Sequence, residues 1–457
     1  MGGARDGGEL ERWPNGREGS VSRNHVGGMV GRRVPIKVAI IDVERCPAEI
    51  SAVHPDGGRY VALWVLARLG GEPRALIKLP FDEDVISSVE LAAHFSGPAF
   101  APRPGWLGEL VDPPLISVVV PTTFGREQEL RGCLASLAAL DYPRFEVLVV
   151  NNSASDLVPA WVEDYPHVTV LRERRLGVSA ARNCGIRHAA GEIVAFTDDD
   201  VVVDPAWLTA FARRLAAHPE EAAVGGLMFP RELETGAQLS YEEYYGVFTP
   251  RMMQPLTHRL ARPVSRVPFR RATIVEVTDA GDVVDSFSLY SPGGLGPGQS
   301  GAFRTDVLRA VGGFEERLGV VAGEDVLLWA RLAWRGYPIG FEPAALVSHT
   351  HRRDDQELRR QVSAYGVGFT ATLLALVLED PRHLGAILAT APRALPVLGR
   401  QFWTRLRSTQ APPEGSSAPA SSVADLARLE LLGMLRGPAV YVQSSLAARR
   451  RGSSGRD

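Results

Sequence analysis

The sequence predicts an α/β fold built on a parallel sheet covered on both faces by helices. Three observations carry this. From Leu115 onward, short and almost wholly apolar strands alternate with amphipathic helices. The chain has 457 residues, 45% apolar and 23% charged, the composition of a folded globular protein of more than one domain. Acidic, hydroxyl and amide side chains gather just past three of the strands, where open α/β sheets bind their ligands.

Residues 1–34 hold nine Gly and six Arg without the apolar run of a secretory signal, and read as a disordered leader with Met29 as an alternative start. Residues 35–100 read as a small α/β unit. It comprises a strand at 36–41, a hairpin of 60–69 and 74–79 closed by Gly70-Gly71, and helical spacing at 85–94. Pro102, Pro104, Pro113 and Pro114 mark a linker. The main domain spans 113–352. Its strands are expected at 116–120, 147–150, 168–171 and 193–197, and its helices at 127–140, 179–189 and 205–218, the last with Asp204 as N-cap and Pro205 at the first helical position.

Residues 231–292 lose this rhythm and read as a loop-rich insertion. Regularity returns with a helix at 305–311 closed by Gly312-Gly313, a helix at 324–334 ended by Gly336 and Pro338, and a strand at 345–348. Residues 353–407 read as a helical extension interrupted by Pro381, Pro392 and Pro396. Residues 408–422, rich in Ser, Ala and Pro, read as a disordered linker. A last helix lies within 423–448, over 423–435 ahead of Gly437-Pro438, and 449–457 form a basic tail. No stretch reaches the roughly 20 apolar residues of a membrane span. The nearest, 361–378, reads as a core or membrane-surface helix.

Fifty Lys and Arg against 53 Asp and Glu give a net charge of −3, so no global basic field recommends a nucleic acid partner. Cys46, Cys133 and Cys184, odd in number and widely spaced, indicate neither a disulfide framework nor a thiolate zinc site, and fit a reducing, cytoplasmic compartment.

The most informative segment is the strand ending in Asp198-Asp199-Asp200. Three adjacent carboxylates repel unless a cation or donors neutralise them, which points to a hard divalent ion held together with substrate phosphates. In an extended chain Asp198 and Asp200 point the same way and share one ligand. The alternative is an acidic loop ahead of a helix. Pro121, Thr122 and Thr123 end one strand with hydroxyls free for a base or ribose, and Asn151-Asn152-Ser153 end another with amides suited to a planar ring; all are also ordinary turn residues. Arg182, with Asn183, lies near the start of a helix, placed for a diphosphate or for a surface salt bridge. Glu324 and Asp325 open a helix, where carboxylates cap; if that turn lines the crevice, Asp325 accepts a proton from an attacking hydroxyl. His349 and His351 share one face of an extended segment, so either reaches a metal.

Taken together these segments resemble the inverting family 2 glycosyltransferases with the nucleotide-sugar-binding GT-A fold, a Rossmann-like, mostly parallel mixed sheet. The likeness covers about Leu115 to His351. It rests on Val-Val-Pro-Thr at 119–122, Gly177 to Asn183, the Asp-x-Asp at 198–200, Gly301-Ala302-Phe303-Arg304 with Gly312-Gly313-Phe314-Glu315, Gly323-Glu324-Asp325, and His349. The resemblance implies a nucleoside-diphosphate sugar donor and a divalent cation, Mn²⁺ or Mg²⁺, on Asp200, Asp198 and His349. It makes Asp325 the catalytic base, and places Pro121, Thr122, Thr123, Asn151, Asn152, Arg182, Asp198, Asp199 and Glu324 around the donor. Asn151 stands where the family usually has Asp, so a uridine donor is not implied; the Gln-x-x-Arg-Trp motif of processive synthases is absent, which implies single addition. Leu327 replaces an acidic residue often found after the Glu-Asp pair.

The acceptor class implied is a glycan, lipid-linked or small-molecule hydroxyl in cell-envelope polysaccharide, glycolipid or glycoconjugate synthesis. Tyr365-Gly366-Val367-Gly368 and Gly433 to Pro438 resemble extensions of bacterial members. The apolar C-terminal helices and basic tail suit peripheral association with the inner face of the plasma membrane, or else packing on the catalytic core. Other readings are a sugar nucleotidyltransferase, poorly matched by the loop Thr122-Thr123-Phe124-Gly125-Arg126, and a catalytically silent nucleotide-sugar-binding protein.

Overall fold

The computed structural model describes residues 33–101, 110–245, 250–264, 269–291, 294–296, 298, 300–318, 322–408 and 421–453. The leader up to residue 32, Pro102 and Pro104, most of the 408–422 linker and the end of the basic tail lie outside the described residues.

In the N-terminal unit, β1 (Ile36–Asp42) pairs in parallel with β3 (Ala62–Leu69), which forms a hairpin with β4 (Glu72–Pro80). Gly70 and Gly71 turn the hairpin at φ 60° and 82°, a conformation that favours glycine. β2 (Glu49–Ser51) pairs with β5 (Val85–Ser87), so only α1 (Ser88–Ala92) of the expected 85–94 helix is helical. Ser87 and Glu90 form a capping box that starts α1 where the strand pairing ends. The unit docks on the main domain through Leu66 against Leu227, Phe229, Phe341 and Leu346, and through Arg68, which pairs with Asp42 and Asp204.

The main domain opens with β6 (Ile116–Thr122), α2 (Glu127–Ala138), β7 (Phe145–Asn151), β8 (Val168–Arg172), α3 (Val178–His188) and β9 (Ile193–Phe196). These four strands are parallel in the order β8-β7-β6-β9. Strand order therefore reverses between β6 and β9, and the crevice past their C-terminal ends is where such sheets bind ligands. The apolar runs that announce β6, β7 and β9 are nearly continuous because both faces of these strands are covered, whereas edge strand β8 is only half-buried.

β10 (Val201–Val203) and α4 (Trp207–Ala217) follow. Asp204 accepts from the Ala206 N–H in a turn just before α4, which starts two residues later than Pro205. β11 (Ala223–Pro230) leads into α5 (Gly236–Tyr245), and β12 (Leu256–Leu260), β13 (Thr273–Val277) and β14 (Val283–Ser288) form an antiparallel meander on the sheet edge. The segment expected as a loop-rich insertion is thus largely regular. Its period is masked because it buries polar side chains: Gln238, Ser240 and Glu242 on α5, and His258 against Glu276 between β12 and β13.

β15 (Gly301–Arg304) is antiparallel to both β9 and β11. After α6 (Thr305–Ala310) and α7 (Glu324–Trp334), β16 (Ile339–His349) runs parallel to β11, much longer than the expected 345–348. The end of β16 also pairs with β10, with Val201 opposite His349.

Three long helices complete the chain: α8 (Asp355–Glu379), α9 (Arg382–Leu406) and α10 (Val423–Ser453). Pro392 and Pro396 do not break α9, and Gly437-Pro438 do not end α10; these prolines face solvent, and α10 continues along α8. α8 is long and apolar enough by composition to cross a membrane, but Leu358, Val362, Ala371 and Ala375 are buried within the protein. Glycines set the α8–α10 distance. A Cβ on Gly366 would come within 2.1 Å of the Glu430 carbonyl, and one on Gly433 within 2.3 Å of the Ser363 carbonyl. The same helix leans on the turn before α7: a Cβ on Gly368 would come within 2.0 Å of the Ala322 carbonyl.

Candidate active site

Past Phe196 the chain does not stay extended. It turns over Asp198–Val201, closed by the Val201 N–H on the Asp198 carbonyl at 3.3 Å, so the expected pairing of Asp198 with Asp200 is replaced by one between neighbours. The Arg126 guanidinium donates to both Asp199 and Asp200. Asp199 also accepts from the Thr122 hydroxyl at 2.8 Å, so the ends of β6 and β9 are joined directly. Burial, resisted by Arg126, pushes the Asp199 carboxyl up to about 6.

Asp198 is held instead by Arg182, a buried α3 side chain. Arg182 donates at 2.8 Å to Asp198 Oδ1 and at 2.7 Å to Glu324 Oε1, bridging the acidic turn to the start of α7. Two neighbours fix α3: the Gly177 N–H at its start donates to Asn152 Oδ1, and Asn183 takes both backbone groups of Phe314. The Phe314 ring lies 5.2 Å from the Arg182 guanidinium carbon. Gly313, at φ 67°, passes close to the Asn183 amide, where a Cβ would come within 2.5 Å. The sequence segments 177–183 and 312–315 are therefore two sides of one contact.

Gly323, at φ 104°, delivers Glu324 and Asp325 into the first turn of α7. Burial raises both carboxyls; Asp325 raises Glu324 further, and Arg182 opposes the rise in each. Asp325 Oδ1 accepts from the Val326 N–H, and Gly298 passes so close that a Cβ there would come within 2.4 Å of Oδ2.

Asp200 is almost wholly buried, and its Oδ1 has no hydrogen-bond partner. His349 Nε2 lies 3.5 Å from that oxygen. Arg352 lies 3.5 Å from Oδ2. His351 stands one step behind, its Nδ1 2.9 Å from His349 Nδ1 and its Nε2 2.5 Å from Glu242 of α5. Burial lowers the affinity of the His351 ring for a second proton, against the pull of Glu242.

Among the described residues no group of three or more His, Cys, Asp or Glu side chains is arranged as a metal site. The charge of the three aspartates is met by Arg126, Arg182 and Arg352. The orphaned Asp200 oxygen beside His349 nevertheless fits a hard cation with two protein donors, the remainder coming from phosphate and water.

Thr123 is exposed next to buried Pro121 and Thr122. Asn151 and Asn152 are buried, and their amides serve neighbouring loops: Asn151 on Ser153, Ser155 and Leu157, Asn152 on Glu173, Arg175 and Gly177. Sequence reasoning missed Arg126, Arg352 and Glu242. Arg126 follows the Thr-Thr-Phe-Gly loop and Arg352 follows the two histidines, both detectable as cations beside an acidic motif. Glu242 carried no signal, since it lies in the segment without a period.

The switch-point crevice thus has an acidic turn on one side and a raised carboxylate pair on the other. Residues 117–291 match the profile of Glycosyl transferase family 2. The chain is 34% identical to the uncharacterized glycosyltransferase YibD of Escherichia coli over 94 residues, 20% of this chain and 27% of that protein, so it spans about a quarter of that relative's length. It is 25% identical to the succinoglycan biosynthesis protein ExoM of Rhizobium meliloti over 233 residues, 49% of this chain and 63% of that one. Among solved structures it is similar to the mannosyltransferase PcManGT from Pyrobaculum calidifontis in complex with GDP-Man and Mn²⁺, at 20% identity and a TM-score of 0.42, over 75% of this chain and 90% of that one.

Proposed function

We infer that this protein transfers a sugar from a nucleoside-diphosphate sugar to an acceptor hydroxyl with inversion at the anomeric carbon. One observation carries the reading: buried Arg182 ties the acidic turn to the Glu324–Asp325 turn, so donor-binding and proton-accepting groups share one crevice. Asp325 takes the proton of the acceptor hydroxyl as its oxygen bonds the anomeric carbon, and the bond to the diphosphate oxygen breaks with its electron pair leaving on the diphosphate. Burial raises the Asp325 carboxyl against the pull of Arg182, which makes it a stronger proton acceptor than an ordinary carboxylate. Asp198 and Asp199 present the donor's ribose and sugar with carboxylates already oriented by Arg182 and Arg126. Asp200 and His349 would hold a divalent cation, whose charge steadies the departing diphosphate.

The test is thermal stability against UDP, GDP and dTDP and their sugars with and without Mn²⁺. A nucleotide-selective, metal-dependent rise that vanishes in Asp200→Ala supports the reading; no rise with any nucleotide overturns it. Turnover that persists in Asp325→Asn removes Asp325 as base, and absence of turnover in the parent favours the silent binding protein.

The acceptor belongs, on this reading, to envelope polysaccharide or glycolipid assembly at the cytoplasmic face of the membrane, in line with the succinoglycan relative. α9 supports a peripheral contact there. Leu384, Leu388, Leu395 and Trp403 are exposed along one stripe, and residues 382–407 contain five Arg and no Asp or Glu. Co-sedimentation with phosphatidylglycerol vesicles but not phosphatidylcholine vesicles, lost in Leu388→Glu/Leu395→Glu, is the expected result; equal recovery in the supernatant with both removes the contact.

A further inference from the structure

Four groups from three elements form one buried line: Asp200 in the acidic turn, His349 and His351 around the end of β16, and Glu242 on α5. Each link constrains the next. A carboxylate only accepts, so Glu242 requires the proton of His351 on Nε2. A neutral imidazole carries one N–H, so His351 Nδ1 is an acceptor. The 2.9 Å contact between the two Nδ1 atoms then requires the hydrogen to belong to His349.

In neutral His349 the lone pair then lies on Nε2, 3.5 Å from an Asp200 oxygen that has no hydrogen-bond partner. Two acceptors side by side in a buried place need a cation between them, either a proton or a metal ion. The backbone fixes the placement, since Val201 next to Asp200 pairs with His349 across β10 and β16. α5 clamps His351 as well: the Tyr241 ring lies 4.4 Å from it centre to centre, and the Gln238 amide donates to its carbonyl.

We propose that Glu242 and His351 are positioning residues that lock His349 in its Nδ1–H tautomer and so keep Nε2 turned, unprotonated, toward Asp200 for a divalent cation. The pair also strengthens His349 as a donor, because its N–H is polarised through His351 by the Glu242 charge. The proposal rests on the metal reading of Asp200 and His349 above. It goes beyond that reading in giving a role to α5, an element with no part in the motif set.

Two measurements on the full chain test it. In protein labelled with ¹⁵N-histidine and saturated with Mg²⁺, NMR is expected to find His349 protonated at Nδ1 and without a proton at Nε2; a proton on Nε2 and none on Nδ1 overturns the proposal without any variant being made. Mn²⁺ alone is then titrated by electron paramagnetic resonance into wild type, His349→Ala, His351→Phe, Glu242→Ala and Glu242→Gln, each checked for an intact melting transition. His351→Phe and Glu242→Ala are expected to weaken Mn²⁺ binding by about 10- to 100-fold. Glu242→Gln, whose carbonyl still accepts from Nε2–H, is expected to restore most of the loss. If His349→Ala binds Mn²⁺ like wild type, the metal reading itself fails. If His349→Ala is weakened while His351→Phe and Glu242→Ala bind like wild type, the positioning role fails and the metal reading stands.

Discussion

Arg182 donates to two carboxylates that belong to different segments, and its planar fork is what allows both contacts from one buried side chain. Arg182→Lys keeps the charge and loses the fork. The expected outcome is a lower melting temperature and turnover reduced at least tenfold, measured with the donor selected by the thermal screen; unchanged turnover would mean that the bridge is only structural. Asp325→Asn removes proton acceptance while leaving shape, so kcat is expected to fall by about 10² to 10⁴ with nucleotide affinity retained. Much of this site was legible as residue types. Three aspartates after an apolar strand and a Glu-Asp pair opening a helix need no coordinates to attract notice. What the sequence hid is pairing: Arg126 compensates two of the aspartates and Glu242 stands behind two histidines, and neither partner is near its target along the chain.

The elements that sequence periodicity located are those whose burial is apolar. β6, β7, β9 and α7 bury aliphatic faces, whereas α5 and the β12–β14 meander bury Glu242, His258 and Glu276 and so present no period to read. The break expected at Gly437-Pro438 failed for a related reason, since α8 packed along α10 holds the axis where a local rule expects an end. The glycines of α8 and α10, conspicuous in the sequence but without assigned meaning, are the contact itself. Gly366→Ala is expected to destabilise by about 1–3 kcal/mol, because its Cβ would strike the Glu430 backbone. Gly399→Ala on α9, where a Cβ meets nothing within 4 Å, is expected to stabilise by about 0.5–1 kcal/mol. Urea unfolding of both variants checks the pair, and a similar change in each would contradict the close crossing.

At the scale of the whole molecule, the buried carboxylates set how stability varies with pH. Glu342, at the irregularity where β16 shifts register against β11, is pushed up to about 7 by burial, against the hydrogen bond it accepts from the Ala344 N–H. Its folded form therefore holds a proton more tightly than the unfolded chain does. That contribution is complete below the ordinary value of 4.5 and is lost as pH rises through about 7. Asp199 acts with the same sign between its ordinary 3.8 and about 6. Glu342→Gln, neutral at every pH, is expected to match wild type near pH 4.5 and to exceed it at pH 8 by on the order of 2 kcal/mol, read from chemical unfolding at the two pH values. Equal stability at pH 8 would mean that the site takes up water or relaxes when charged.

The contact of α8 with the turn before α7 also has a meaning in time. Gly368 and Thr372 of α8 rest on the Ala322–Gly323 backbone, and α8 is in turn seated on α10 through Gly366, Gly433 and Gly437. On the ribosome, the strands and helices that carry Asp198, Asp199 and Asp200 emerge long before α10 does. A nascent chain thus makes its acidic turn early and receives the brace behind the Glu324–Asp325 turn late, so that turn is the last part of the crevice to be backed by its supporting helices.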